Sequence, residues 1–361
     1  MRNKKEKIII VGVRSPRVGF SEFQGDMEEL TGLAEAAGGE VVSSLSQTRQ
    51  RPEPATYIGR GKVQELLHLA EELEADLIVF NTELTPVQLR NLEESLSRRV
   101  IDRTMLILDI FGQRARSREG ILQVELARLQ YQLPRLTGVG SQLSRIGGGI
   151  GARGAGEQKL ELDRRQIRRR IKDIKKQMEK VEKTRQLHRR QRERAGLPIV
   201  SLVGYTNAGK SSLFNALCEI GHQSGAKQVA AHNKLFQTLD TTTRKITFNS
   251  AQEVLISDTV GFIKDLPHNL VAAFKSTLEE AIEADVLINV VDVFDPNYME
   301  KILVVEEVLQ ELGADLDKVI TVLNKADLLD NIPSGGGDIY ISAKTGLGLD
   351  KLLTRIEDLT L

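Results

Sequence analysis

Gly204-Tyr205-Thr206-Asn207-Ala208-Gly209-Lys210-Ser211 fits the pattern G-x-x-x-x-G-K-[ST], and its flanks restrict what the surrounding chain can fold into. An apolar run, Pro198 to Val203, leads in, and a helix-forming run, Ser212 to Leu217, leads out. Strand, tight turn and helix in that order aim backbone N–H groups and the positive end of the helix at a phosphate. The pattern predicts an α/β fold in which Lys210 reaches β- and γ-phosphates and the Ser211 hydroxyl ligates Mg²⁺.

Three further segments follow in order. Val254 to Asp258 reads as a strand ending in an acid, then Thr259-Val260-Gly261. Asp258 there can hold Mg²⁺ through water, and Gly261 can offer its N–H to the γ-phosphate. The strand Val319 to Leu323 runs into Asn324-Lys325-Ala326-Asp327. The Asp327 carboxylate can accept from guanine N1–H and the N2 amine, whereas adenine lacks that donor pair and would leave the charge unpaired. A strand at Asp338 to Ile341 leads to a second base-contacting loop, Ser342-Ala343-Lys344. Order and spacing together imply a guanine-nucleotide hydrolase from about Leu197 to Leu361. Phe262 stands where many such enzymes carry a water-orienting glutamine, and phenylalanine neither hydrogen-bonds nor moves a proton. No catalytic residue is therefore assigned, Arg244 near the nucleotide loops does not announce itself as a finger, and slow intrinsic hydrolysis is expected.

At 361 residues the chain exceeds one ordinary core. Residues 1 to about 103 alternate strands (Ile8 to Val13, Glu40 to Ser44, Asp76 to Phe80, Arg99 to Ile101) with helices (Met27 to Ala37, Gly61 to Leu73, Pro86 to Leu96), the pattern of a small parallel α/β domain. Gly59-Arg60-Gly61-Lys62 before the second helix can be an anion-binding turn or a plain turn into a helix. From Thr104 to Pro134 the chain reads as helix, with Leu122, Leu126, Leu129 and Leu133 on one stripe. A glycine-rich stretch to Gly156 follows, carrying Arg145 and Arg153 without nearby acids and without the apolar content for a core of its own.

A long helix comes next. Its Leu160, Ile167, Ile171, Ile174, Met178 and Val181 form one seam, suited to packing on a single other helix as a coiled-coil-like hairpin. Formal charge over the whole chain is zero, yet residues 157–195 hold sixteen Lys and Arg against seven Asp and Glu, a surplus of nine. Arg164, Arg165, Arg168, Arg169 and Arg170 dominate the outer faces. With no aromatic residue in the helix or the loop, contact with the backbone of structured RNA is expected rather than base stacking. Cys218 is the one cysteine, which excludes a disulfide framework and suits a reducing cytoplasm; the five histidines show no metal-ligand spacing. No apolar run approaches the ~18 residues of a membrane span. The expected layout is an α/β domain over residues 1–103, a basic helical hairpin over 104–196, and a P-loop G domain with a mostly parallel sheet over 197–361.

Across most of its length the chain resembles the HflX family of ribosome-associated GTPases. The resemblance rests on Thr56 to Lys62, Arg90 to Glu93, Asp102-Arg103-Thr104, Leu106 to Phe111, Gln123 to Ala127, Leu133 to Leu136, Ser144 to Gly151, Gly156-Glu157 and Asp163-Arg164-Arg165. In the G domain it rests on Gly204 to Ser211, Leu235-Phe236-Gln237-Thr238-Leu239-Asp240 and Asp258 to Phe262. It implies GTP and GDP as ligands, with Ser212 and Phe236 to Asp240 beside the motifs above. It also implies Thr238 as the switch threonine closing on Mg²⁺, although Thr241, Thr242 and Thr243 lie nearby. Glu219 to Lys234 is long for the family, Thr241 replaces a usual proline, and the chain stops one helix after Ser342-Ala343-Lys344, where some relatives continue. In related GTPases an asparagine at the place of Asn207 helps hold a monovalent cation, so K⁺ joins Mg²⁺ as an expected cofactor. The implied partner is the large (50S) ribosomal subunit with its rRNA, bound by a monomer that splits or rescues stalled or idle ribosomes. A ribosome-assembly GTPase, or an ATP-driven RNA-remodelling protein using the N-terminal domain, is the alternative.

Overall fold

A computed structural model describes residues 5–136, 155–221, 235–236, 241–248, 252–264, 282–333 and 338–360, with side chains in the long helix described at 160–184 and 187. The chain divides into two compact units, residues 1–113 with 122–177 and residues 114–121 with 178–361.

The first unit is built on a parallel sheet of order β2-β1-β3-β4: β1 (Lys7–Arg14), β2 (Glu40–Thr48), β3 (Leu77–Phe80) and β4 (Arg99–Asp102). Continuous apolar runs mark strands covered on both faces, and Ile8 to Val11 and Leu77 to Phe80 are buried throughout. Helices α1 (Phe20–Ala36), α2 (Arg60–Glu72) and α3 (Pro86–Leu96) alternate with these strands. Helix α3 starts where its sequence says it should, with Thr85 and Gln88 closing a capping box and Pro86 in the first turn.

The helical run expected from Thr104 to Pro134 is two helices, α4 (Arg103–Arg114) and α5 (Arg118–Arg135), interrupted at 115–117. Asp102 organises them. Its carboxylate accepts from the Met105 N–H (2.9 Å), the Leu84 N–H (3.1 Å), Tyr131 Oη (2.6 Å) and Arg135 Nη2 (3.3 Å), fastening α5 to the end of β4. Burial pushes the Asp102 carboxyl above its usual range despite those donors. Helix α6 (Ala155–Ala195) meets α5 where Arg170 makes a two-point pair with Glu125 (2.6 and 2.7 Å), and Ile174 one turn on is buried.

The second unit carries a six-stranded sheet of order β10-β9-β8-β5-β7-β6. Its strands are β5 (Ile199–Val203), β6 (Thr242–Thr247), β7 (Glu253–Asp258), β8 (Val286–Asp292), β9 (Val319–Asn324) and β10 (Ile339–Tyr340). All pairings are parallel except the edge pair β6/β7. Helices α7 (Lys210–Ile220), α8 (Tyr298–Glu311) and α9 (Leu349–Thr360) accompany it. Val200, Leu202, Ile288 and Val290 of the sheet pack with Leu213, Phe214 and Leu217 of α7 and Leu352 and Ile356 of α9. The loops that follow β5, β7, β9 and β10 thus meet at the carboxyl edge of one sheet, the usual place for ligands in open α/β sheets.

Candidate nucleotide site

The loop from Gly204 to Gly209 joins β5 to α7 and needs glycine at its two ends. Gly204 has φ 138° and Gly209 φ 95°. A Cβ on Gly204 would stand 2.3 Å from the Val290 carbonyl oxygen, and one on Gly209 would stand 2.3 Å from Asn324 Nδ2. Lys210 is buried and its Nζ donates to the Gly204 and Tyr205 carbonyls (3.0 and 2.8 Å), bracing the loop in a ring. Burial lowers the Lys210 pKa to about 8, against the pull of the Asp258 charge.

Asp258 ends β7 beside α7, where the Ser211 hydroxyl donates to its Oδ2 at 2.7 Å. The Thr206 hydroxyl is buried in the same loop with no hydrogen-bond partner among the described residues. A carboxylate and a hydroxyl converging under the phosphate loop are the hard oxygen donors that Mg²⁺ takes alongside phosphate, so these residues fit the ion. Thr259 Oγ1 donates to the Leu202 carbonyl (2.6 Å), and Val260 and Gly261 carry the chain on to Phe262. There the Phe262 N–H donates to Gly204 O (3.0 Å) and the Thr206 N–H to Phe262 O (2.8 Å). Phe262 is 1% exposed, so at the usual glutamine position its ring lies in the interior and does not face a water.

On the other side of the loop, Asn324 Nδ2 donates to the Ala208 carbonyl (2.8 Å) and its Oδ1 accepts the Ala343 N–H (3.0 Å). One side chain thereby ties the phosphate loop to the Asn324–Asp327 and Ser342–Lys344 loops. Lys325, at φ 65°, extends to Asp292 Oδ2 (2.6 Å) at the end of β8. Asp327 lies in the short 3₁₀ turn Ala326–Leu328, exposed and with no partner among the described residues. Ser342 is buried and takes the Thr345 N–H on its hydroxyl (3.1 Å), while Lys344 is exposed. The structure therefore brings together Gly204 to Ser212, Asp258 to Gly261, Asn324, Lys325, Asp327 and Ser342 to Lys344. Leu235 and Phe236 are described, with Phe236 buried, but Gln237, Thr238, Leu239 and Asp240 fall outside the described residues. Thr242 and Thr243 belong to β6, opposite Asp258 and Ser257. Arg244 is turned towards α7, its guanidinium over the Phe214 ring.

Sequence reasoning did not find Asp292, because the acid that meets Lys325 sits 33 residues away on another strand. Nor did it find Tyr205 as a contact point: its Oη accepts the Lys264 N–H (2.8 Å) and Lys301 Nζ lies 4.8 Å from its ring centre.

The arginines expected to meet RNA divide. Arg165, Arg168 and Arg169 are exposed on α6 with no partner among the described residues, whereas Arg170 is engaged by Glu125 and Arg164 reaches the Leu136 carbonyl (3.5 Å). Arg145 and Arg153 lie outside the described residues. At Gly59-Arg60-Gly61-Lys62, the Gly59 N–H goes to Gln47 and Lys62 pairs with Glu65, which favours the plain turn into α2. Among the described residues no group of His, Cys, Asp and Glu is arranged to hold a metal by itself, and no helix is long and apolar enough to cross a membrane.

A phosphate loop closed around a buried lysine, an aspartate at the next strand end and an Asn-Lys-x-Asp turn on one parallel sheet define a P-loop GTPase, and the chain is a GTP hydrolase of that class. Over 99% of its length it is 53% identical to the GTPase HflX of Caldanaerobacter subterraneus subsp. tengcongensis, covering 81% of that protein. It is 43% identical to the GTPase HflX of Escherichia coli strain K12 over 92% of its length, covering 78% of that relative. The chain belongs to the HflX family of ribosome-associated GTPases. Family models agree along the chain: "GTP-binding GTPase N-terminal" matches residues 24–112, "GTP-binding GTPase Middle Region" 114–192, and "50S ribosome-binding GTPase" 199–325. Among solved structures, SsGBP in complex with GDP aligns over 98% of each chain, at 25% identity and a TM-score of 0.54. A GDP complex of a GTP-binding protein from Sulfolobus solfataricus aligns over the same shares, at 26% identity and a TM-score of 0.51.

Proposed function

We propose that this chain uses GTP as a timer for binding the large ribosomal subunit, and that the GTP-bound form splits or rescues stalled or idle ribosomes as a cytoplasmic monomer. One observation carries the ribosomal part of the reading. The Arg170–Glu125 pair joins α6 to α5 and Ile174 is buried, while Arg165, Arg168 and Arg169 are exposed with no partner among the described residues. Such a group of arginines suits RNA phosphates and makes affinity fall with salt. Arg145 and Arg153 extend it in this reading, within a working division at residues 103 and 196.

At the nucleotide, the N–H groups of the loop from Gly204 to Ser212 donate to phosphate oxygens and Lys210 neutralises the β- and γ-phosphates. Mg²⁺ would be held by Ser211 and Thr238, with Asp258 through water, and when bound it offsets phosphate charge. Gly261 offers its N–H to the γ-phosphate, so the segment after β7 can register whether that group is present. Asp327 accepts from the guanine edge, Asn324 fixes the base loops to the phosphate loop, and Phe236 to Asp240 complete the set of residues that bind the nucleotide. Since Phe262 is buried away from any attacking water, hydrolysis by the isolated chain is slow and a partner completes the site.

The test is sedimentation of 70S ribosomes with this protein and GTP, a non-hydrolysable analogue or GDP. Separation into subunits with GTP or the analogue but not with GDP is expected. Co-migration with 50S alone would point to an assembly role, and no association would refute the ribosomal reading.

A further inference from the structure

Helix α8 presents a surface opposite in character to α6. Met299 and Leu303, one turn apart, are 64% and 59% exposed, and Phe294 just before the helix is 60% exposed. Glu306 and Gln310 continue their stripe towards the end of the helix, and Glu300, Glu307 and Glu311 line one side of it. The helix carries four glutamates and a single lysine, Lys301, which turns to Asp295 and the Tyr205 ring. Glu306, Glu307 and Glu311 have no partner among the described residues.

Soluble proteins scatter single apolar residues over their surfaces, whereas neighbouring exposed apolar residues rimmed by polar groups are the pattern of interaction sites. The frame selects the partner. Carboxylates in this density repel nucleic-acid phosphates and attract lysine and arginine, while methionine and leucine want an apolar counterpart. We propose that this face of α8 is a docking surface for a basic, apolar-tipped protein, and, on the ribosomal reading above, for a protein of the large subunit rather than its RNA.

The surface also has a route to the phosphate loop. Glu300 pairs with Lys264 (3.1 Å), the Lys264 N–H donates to Tyr205 Oη, and Lys301 sits over the same ring. A partner seated on Met299 and Leu303 borders Glu300, three residues before Leu303, whose ion pair with Lys264 leads to Tyr205, the second residue of the loop from Gly204 to Gly209. Docking therefore bears on the group that holds the loop against the segment after Asp258.

Charge reversal separates a protein partner from RNA by the sign of its effect. Glu306→Lys/Glu307→Lys in the full chain, with GDP affinity as the control for folding, is expected to bind purified 50S subunits about tenfold more weakly with a non-hydrolysable GTP analogue. A photo-crosslinking p-benzoylphenylalanine placed at Met299 is expected to mark a basic ribosomal protein. Unchanged or tighter binding by the double variant overturns the proposal, as do crosslinks confined to rRNA or to a second copy of this chain. If the parent protein itself fails to sediment with 50S, the ribosomal reading falls and this proposal with it. If the parent sediments and the variant matches it, only the docking surface is lost.

Discussion

Lys210 links nucleotide affinity to pH in a way that can be measured. Burial lowers its pKa to about 8, so at neutral pH it is charged but not far from losing its proton. Phosphate brings opposite charge against Nζ and favours the ammonium form, so the bound pKa rises. Binding must then take up a proton wherever the free lysine is partly neutral. With a free pKa of about 8, the charged fraction falls from roughly nine-tenths at pH 7 to roughly a quarter at pH 8.5, and affinity weakens roughly fourfold over that interval. At pH 8 each binding event should absorb about half a proton. The phosphates of GDP finish titrating below this window and the guanine N1 proton is lost mainly above it, so the lysine dominates. Calorimetric titration of GDP in two buffers of different ionisation enthalpy measures the uptake directly. A flat affinity with no uptake between pH 7 and 8.5 would refute the reasoning and place Lys210 in a well-solvated loop.

Asp327→Asn should shift preference from guanine to xanthine nucleotides, since the amide donates where xanthine offers a carbonyl; competition binding with GDP and XDP reads this, and undiminished GDP affinity would end the assignment. Tyr131→Phe leaves the buried Asp102 carboxylate short of its 2.6 Å donor and should cost about 1–3 kcal/mol in denaturant unfolding of the first unit. Identical midpoints for parent and variant would show that Asp102 is satisfied without it. Asn207 is exposed on the phosphate loop at φ 63°, open to a monovalent cation that could offset transition-state charge. Hydrolysis should accordingly run faster in K⁺ than in Na⁺ at equal ionic strength, and equal rates with and without ribosomes would remove the idea.

What the sequence alone determined was local. The strand before Gly204, the helix after Ser211, the acid ending β7 and the Asn-Lys-x-Asp turn could be read directly because each is a short pattern whose backbone geometry demands particular residues. The alternating α/β unit was equally legible, since buried parallel strands write themselves as apolar runs such as Ile8 to Val11, and the Thr85 to Gln88 cap shows where α3 begins. Edge elements were harder to see. Strand β6, Thr-Thr-Arg-Lys-Ile-Thr, has little apolar content because it is an edge paired on one side only, and α4 and α5 merged in the reading because the break at 115–117 holds neither glycine nor proline.

Tertiary structure decided which groups remain available to act. Arg170 looks like its neighbours in sequence until Glu125, 45 residues earlier, is found beside it, and Lys325 until Asp292 is. Gly204 is permitted by its turn but required by the Val290 carbonyl of a strand more than eighty residues on. Met299 and Leu303 fall in an ordinary amphipathic run, and only the burial of Val305 and Leu309 on the opposite face shows that they point outwards. The physical reason is the same each time: propensity and spacing act over a few residues, whereas charge neutralisation, close approach and exposure depend on segments that meet only when the sheet has assembled.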